Sequence, residues 1–324
     1  MQNVLVTGGA GYIGSHCCKE LHKKGYHPVV IDNLVYGHRE NAKWGDFFEG
    51  DIADRKLTTE IFSKHDIQAI IHFAAYAYVG ESMTAPMKYY QNNVQKTILL
   101  LHEALNNNIR HFIFSSSCAV YGMPHTIPID EKHSRFPISP YGRSKYMIEE
   151  ILSDCSAAYP FEFMSLRYFN AAGADPDGEI GEKHDPETHL IPLILDVAAG
   201  RSDGIQVFGS DYDTEDGSCI RDYIHVKDLA KAHVLALEKL MDGGSGGYIN
   251  LGTGKGFSVL EAIRLAQKIT GKNIPYTITD RRPGDPPILV ASNQKALLEL
   301  GWQPTYTNLD DIIHTAWNWH QLIY

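Results

Sequence analysis

The chain has 324 residues, long for a single core, so one large domain or two intimately joined ones is expected. With 44% hydrophobic and 21% charged residues and no low-complexity segment or internal repeat, the composition is that of a soluble globular protein. The formal charge of −10 is spread along the chain, which argues against nucleic acid or an anionic membrane as the main partner and leaves room only for a local basic pocket.

Asn3-Val4-Leu5-Val6-Thr7 reads as a short buried strand. The run Gly8-Gly9-Ala10-Gly11-Tyr12-Ile13-Gly14 follows, then a helix pattern over Ser15 to Lys24 that stops at Gly25. A second strand, His27 to Ile31, ends in Asp32. Glycines let the backbone turn tightly and come close to a pyrophosphate, while the helix N-terminus offers amide donors and a positive dipole end. Asp32, 18 residues beyond Gly14, is placed to accept hydrogen bonds from a ribose diol and to repel a 2′-phosphate, which favours NAD over NADP. A glycine run alone is a weak signal; a strand before it, a helix after it and an acid closing the next strand make a strong one for dinucleotide binding.

The alternation continues. Phe47 to Ile52 reads as strand then loop, Arg55 to His65 as helix, and Gln68 to Phe73 as a strand ending in Ala74-Ala75. Tyr89 to Asn107 reads as one long amphipathic helix, His111 to Ser115 as strand, and Glu162 to Arg167 as a further strand. Between these lies Ser139-Pro140-Tyr141-Gly142-Arg143-Ser144-Lys145, heading a helix that runs to about Ala158. Tyr141 and Lys145 are four apart, so a phenol and an ammonium share one helix face. A free phenol titrates at about 10. A fixed cation beside it favours the phenolate, a bound cationic cofactor favours it further, and the pair can then exchange protons with a substrate hydroxyl near neutral pH. The pattern predicts an α/β fold: a Rossmann-type doubly wound parallel sheet with ligands at the carboxyl ends of its strands, where Asp51, Ala74 and Ser115-Ser116-Ser117 fall.

From about Ala171 the pattern changes. Asp175 to His189 is loop-like, Ile191 to Ala199 reads as helix, and Gln206-Val207-Phe208-Gly209 precedes a polar loop from Asp211 to Gly217. Arg221, Arg281 and Arg282 are candidate diphosphate clamps, because a planar guanidinium matches phosphate oxygens bidentately. Residues 222–252 read as strand, helix (Val226 to Leu240) and strand that return to the nucleotide-binding half. The expected division is therefore interleaved: 1–170 with 222–252 for the dinucleotide, and 171–221 with 253–324 as a smaller α/β substrate-binding domain. Ser258 to Thr270, Gln294 to Leu300 and Leu309 to Gln321 complete the helices, with Trp317 and Trp319 read as packing residues.

Five scattered cysteines without a Cys-x-x-Cys spacing fit free thiols in a reducing cytosol, and sixteen histidines without ligand spacing predict no metal. No leader and no apolar run of membrane-spanning length is visible, so a cytoplasmic location is expected.

Thr7-Gly8-x-x-Gly11-x-x-Gly14, a serine at the end of a later strand and Tyr141-x-x-x-Lys145 resemble the extended short-chain dehydrogenase/reductase superfamily. Gly80-Glu81-Ser82, Asn92-Asn93-Val94, Ser115 through Gly122, Arg167-Tyr168-Phe169-Asn170, Arg221 through Val226 and Asn250-Leu251-Gly252 narrow the resemblance, over nearly the full length, to its UDP-galactose (UDP-glucose) 4-epimerase family. The resemblance implies an isomerase of carbohydrate metabolism that oxidises the sugar transiently at C4 with bound NAD and acts as a homodimer. Its catalytic residues would be Ser117, Tyr141 and Lys145. It assigns cofactor contacts to Gly8, Gly11, Tyr12, Ile13, Asp32, Asn33, Asp51 and Ile52, and further along to Phe73, Ala74, Ala75, Asn92, Ser115, Tyr141, Lys145 and Tyr168. UDP-sugar contacts would come from Ser117, Tyr141, Asn170, His189, Leu190 and Phe208, with Arg221 and Arg282 on the diphosphate and Asp285 on the uridine ribose.

Two departures from the family pattern stand out. Ala77 replaces a lysine that often reaches the NAD phosphates, and Leu289 occupies a position that often carries tyrosine beside the sugar C2. The shorter leucine leaves room for an N-acetyl group, so UDP-N-acetylhexosamines are expected as further substrates. Cys118-Ala119 stands where sugar-nucleotide dehydratases carry an Asp-Glu pair, which argues against elimination chemistry. UDP-glucuronate epimerisation stays open. A non-catalytic NAD sensor is disfavoured by the intact Ser117, Tyr141 and Lys145. A dimer would pair the helices Tyr89 to Asn107 and Tyr141 to Ala158, although Val94, Ile98, Leu101 and Leu105 fit packing onto the sheet equally well.

Overall fold

Six strands in the first half of the chain alternate with helices: β1 (Asn3–Thr7), β2 (His27–Asp32), β3 (Asp46–Glu49), β4 (Ile67–His72), β5 (His111–Ser117) and β6 (Glu162–Tyr168). The structure, a computed structural model, describes residues 1–282 and 285–324. In space the six strands join Gly247–Leu251 in one seven-stranded sheet, ordered Gly247–Leu251, β6, β5, β4, β1, β2, β3, with every pairing parallel. The strand order reverses at β1, which has β2 on one side and β4 on the other, and a crevice opens there at the carboxyl ends of the strands.

A parallel sheet covered on both faces has no solvent side, so its strands are continuously apolar rather than alternating. Val4, Leu5, Val6, Val29, Ile31, Ile70 and Ile71 are all completely buried. On one face Cys17, Cys18 and Leu21 of helix Tyr12–Lys23 pack with Leu229 and Leu237 of helix Val226–Met241. On the other, Ile61, Leu100, Leu101, Ile148 and Leu152 bring in helices Arg55–Lys64, Lys96–Asn106 and Pro140–Ala158. A third core, around Ile194, Leu195, Ile263 and Ile313, joins helices Leu190–Ala198, Val259–Thr270 and Leu309–Ile323 beyond the sheet. Short strands complete that half: Ile205–Phe208 pairs with Tyr276–Thr279, and Ile220–Arg221 lies between Phe257–Ser258 and Ile288–Leu289.

The structure departs from the sequence reading in one long helix. Instead of a single helix from Tyr89 to Asn107, the chain forms helix Pro86–Tyr89, a π-helical stretch Tyr90–Gln95 and helix Lys96–Asn106. The wider winding accommodates an inward-pointing amide. Asn93 is fully buried; its side chain accepts from the Tyr76 amide (2.9 Å) and donates to the Tyr76 carbonyl (3.0 Å) and Ser144 Oγ (3.1 Å). That fixes the loop after β4 against the helix carrying Tyr141. Among the described residues no helix is long and apolar enough to cross a membrane.

Candidate active site

The crevice begins at the glycine run. Gly8 has φ +71°, and a Cβ there would lie 2.7 Å from the Ala74 amide nitrogen; a Cβ on Gly14 would lie 2.2 Å from the Gly8 carbonyl oxygen. Backbone therefore packs on backbone, as a surface for a pyrophosphate requires. Asp32 receives the amides of Ala10 (3.0 Å) and Leu34 (2.9 Å) on its two carboxylate oxygens. Burial raises its pKa while those amides pull it down. Asn33 donates to Asp51 (3.3 Å), which also takes Lys96. Burial raises the Asp51 carboxyl, but the Lys96 ammonium more than offsets this and holds it below its usual range. Ile52 beside it is buried. Phe73 and Ala74-Ala75 follow β4, the Phe73 ring 4.6 Å from that of His233. Asn92 donates to Asn93 Oδ1 (3.1 Å). Ile13 packs into the sheet core, and the Tyr12 hydroxyl donates to the Gly173 carbonyl (2.6 Å), tying the glycine run to the far half.

The second part of the site comes from helix Pro140–Ala158. Ser139 caps it by accepting the Gly142 amide (3.1 Å), and Pro140 occupies the first turn. This start places Tyr141 and Lys145 one turn apart over the end of β5. Lys145 Nζ donates to the Ser115 carbonyl (2.7 Å) and stands 5.9 Å from the Tyr141 ring centroid. Ser115 is hydrogen-bonded to the Tyr168 hydroxyl. Ser117 Oγ accepts the Ala119 amide (3.1 Å) and borders the Tyr141 phenol. Burial pushes the Tyr141 phenol up to about 12, with the Ser117 hydrogen bond pulling it back. Burial also pushes Lys145 down to about 7, against the pull of the Glu149 carboxylate.

A buried network that the sequence reading missed stands behind this pair. Glu149 and Arg167, 0% and 1% exposed, form a bidentate ion pair (2.8 and 2.6 Å), and Ser116 Oγ donates to the same carboxylate (2.7 Å). Arg167 also donates to the Tyr121 hydroxyl (3.0 Å), which donates to Asn250 Oδ1 (2.6 Å). The available signal was Arg167 itself, an arginine within an apolar run that forms an interior strand.

The predicted UDP-sugar residues divide. Asp285 bridges two arginines, accepting Arg221 (2.7 Å) on one oxygen and Arg282 (3.1 Å) on the other, while the Arg282 guanidinium lies 4.6 Å from the Phe208 ring. Leu289 sits in register with Arg221 and packs against the buried cluster that includes Cys118, Tyr121 and Phe169, which joins the clamp to the Ser117 end of β5. Asn170 donates from its amide and side chain to the Asp222 carbonyl (3.0 and 3.2 Å). Arg281 is not part of the clamp: it pairs with Asp211 (2.7 Å). His189 precedes Leu190 at the head of helix Leu190–Ala198, but its imidazole is engaged by Glu182 in a cluster with His184 and Glu187.

A backbone cradle at the switch point of a doubly wound sheet, with Ser117, Tyr141 and Lys145 beside it, defines a dinucleotide-dependent enzyme of the short-chain dehydrogenase/reductase kind. The NAD dependent epimerase/dehydratase family model matches residues 4–252, and the chain belongs to that family. It is 52% identical over 319 residues (98% of this chain, 97% of the relative) to a UDP-glucose 4-epimerase of Rhizobium leguminosarum bv. trifolii. It superposes with a TM-score of 0.96 on the UDP-glucose 4-epimerase from Brucella ovis in complex with NAD, at 52% identity and covering 98% of each chain. The UDP-Glc/GlcNAc 4-epimerase from Campylobacter jejuni gives a TM-score of 0.86 at 41% identity, covering 99% of this chain and 100% of that one.

Proposed function

We propose that this chain is an isomerase, a UDP-glucose 4-epimerase that interconverts UDP-galactose and UDP-glucose with NAD as its cofactor. The observation that carries this reading is the convergence of Ser117, Tyr141 and Lys145 beside the glycine cradle, with Arg221, Asp285 and Arg282 joined to the same end of β5 through Leu289. The glycine run, Asp32 and Lys145 would hold NAD, which would supply a reversible hydride acceptor for the sugar C4. Tyr141 removes the proton of the 4-hydroxyl as C4 is oxidised and gives it back afterwards, with Ser117 hydrogen-bonded to the reacting oxygen. Lys145, held by the Ser115 carbonyl, orients the nicotinamide ribose and supplies positive charge near the phenol. Arg221 and Arg282 grip the diphosphate away from the reacting carbon, which lets the 4-keto sugar turn without escaping.

In this reading residues 1–170 and 222–252 hold the cofactor, and 171–221 and 253–324 hold the sugar nucleotide. The active unit is a homodimer. Met87, Ile98, Leu99 and Met147 support this, standing 63%, 45%, 45% and 44% exposed along the neighbouring helices 86–106 and 140–158, whereas Leu101 packs inward. The five free cysteines favour the cytoplasm. Leu289 favours acceptance of UDP-N-acetylhexosamines as well, and the Campylobacter jejuni relative's name agrees with that range.

The test is a product assay by NMR on UDP-galactose, UDP-N-acetylgalactosamine and UDP-galacturonate without added NAD. Conversion of the first two is expected. Conversion of UDP-galactose alone would discard the Leu289 argument, and turnover of none, even with NAD supplied, would sink the reading.

A further inference from the structure

Three loops leave the same edge of the sheet around β1: the glycine run itself, the segment after β2 that holds Tyr36 and His38, and the segment after β4 that holds Tyr76 and Tyr78. β2 and β4 lie on opposite sides of β1, so their backbones are separated by about 10 Å. Yet the Tyr36 ring lies 5.6 Å from Tyr76 and 4.9 Å from Tyr78, centroid to centroid. The three rings therefore span the end of β1, the place where the dinucleotide crosses the sheet.

Both ends of this span are anchored. Tyr78 is 8% exposed; its hydroxyl donates to the Pro186 carbonyl (2.9 Å), and its own carbonyl accepts the Tyr89 hydroxyl (2.7 Å). On the other side the His38 amide donates to the Ala10 carbonyl of the glycine run (3.0 Å), and its Nε2 donates to the Lys183 carbonyl (2.6 Å). Lys88 Nζ stands 4.6 Å from the Tyr76 ring centroid while paired with Glu81 (2.7 Å), adding a cation–π contact to the span. Ala77, between Tyr76 and Tyr78, contributes no charge.

We propose that Tyr36, Tyr76 and Tyr78 form an aromatic clasp that retains the dinucleotide, so that NAD leaves only when Tyr36 parts from the other two rings. The proposal rests on NAD being the resident cofactor. With alanine at position 77, retention passes from ion pairing at that residue to ring packing across the crevice, with His38 latching the same segment to the sugar-nucleotide half.

The experiment loads the full-length protein with isotopically labelled NAD, removes free label by gel filtration and follows its exchange against excess unlabelled NAD by chromatography. Tyr36→Ala removes both ring pairs and is expected to release label about tenfold faster or more than the unaltered protein, while Tyr36→Phe, which keeps the ring, exchanges at the unaltered rate. His38→Ala, which frees the same segment at its other tie, is expected to speed release as well and reads the clasp should Tyr36→Ala not fold. An unchanged rate in a folded Tyr36→Ala or, failing that, in His38→Ala would overturn the clasp, as would a Tyr36→Phe rate equal to that of Tyr36→Ala. A wild-type protein that takes up no label would instead overturn the NAD reading on which the clasp rests.

Discussion

Tyr141 presents a chemical difficulty: burial pushes its phenol up to about 12, so its proposed role as base calls for positive charge beside it. Removing the hydroxyl removes the proposed base while leaving the ring in place. Tyr141→Phe is expected to lower kcat by about 10²–10⁴ with the melting temperature unchanged, measured by single-turnover assay and calorimetry. A second residue-scale effect sits at Glu182. Burial lowers the pKa of His184, but Glu182 and Glu187 outweigh it and raise the imidazole to about 10; burial raises Glu182, but His189 and His184 hold it down at about 2. The raised histidine contributes stability in full below its unfolded value of about 6.5 and loses it as pH climbs through about 10. The depressed glutamate contributes in full above its unfolded value of about 4.3 and loses it as pH falls through about 2. The melting-temperature gap between the wild type and Glu182→Gln should be widest at about pH 5–6 and narrow towards pH 9. Ser117, Tyr141 and Lys145 were legible in the sequence because a strand end and a four-residue helical spacing are local. The chemistry of the residues alone did not separate Arg281 from Arg282, and only the resemblance put Arg282 on the diphosphate; in the structure Arg281 pairs with Asp211 and Arg282 with Asp285.

Helix Pro140–Ala158 must keep its rotation and depth relative to β5 and β6 for Tyr141 to meet Ser117. The Glu149–Arg167 pair enforces this, because a fully buried bidentate bond tolerates little sliding. Breaking it from one side strands a buried charge. Glu149→Gln or Arg167→Met alone should cost about 3–5 kcal/mol in urea denaturation, whereas Glu149→Leu combined with Arg167→Met should recover most of that loss. The strands and most helices of the first half, though not the short helix Val79–Thr84, were readable from their periodicities. The π-helical stretch Tyr90–Gln95 was not, because an apolar period continues on either side and the reason for the wider turn, the bonds from Asn93 to Tyr76 and Ser144, lies far away in sequence. Glu149 and Arg167 look like two unrelated charges until the sheet brings them together.

For the molecule as a whole, the exposed apolar stripe of Met87, Ile98, Leu99 and Met147 makes association testable. Light scattering should return twice the 36.2 kDa chain mass for the wild type, and the single chain mass for Leu99→Glu, since the substitution buries an unpaired carboxylate twice in a two-fold contact. The doubly wound architecture was legible from the alternation of elements; the crossing of the crevice by Tyr36 was not, because it depends on which strands become neighbours of β1. The strand order also constrains how the chain can be cut. Gly247–Leu251 covers the outer side of β6, pairing from Met164 to Tyr168. A fragment ending at Asn170 would keep the glycine run and the helix carrying Tyr141 but present β6 as a naked, apolar edge, its amides and carbonyls open to any other strand. Such a fragment is expected to aggregate on expression, as measured by its partition into the pellet. The sheet beside the glycine run, though six of its seven strands come first in the chain, is closed at this edge only once Gly247–Leu251 has been made.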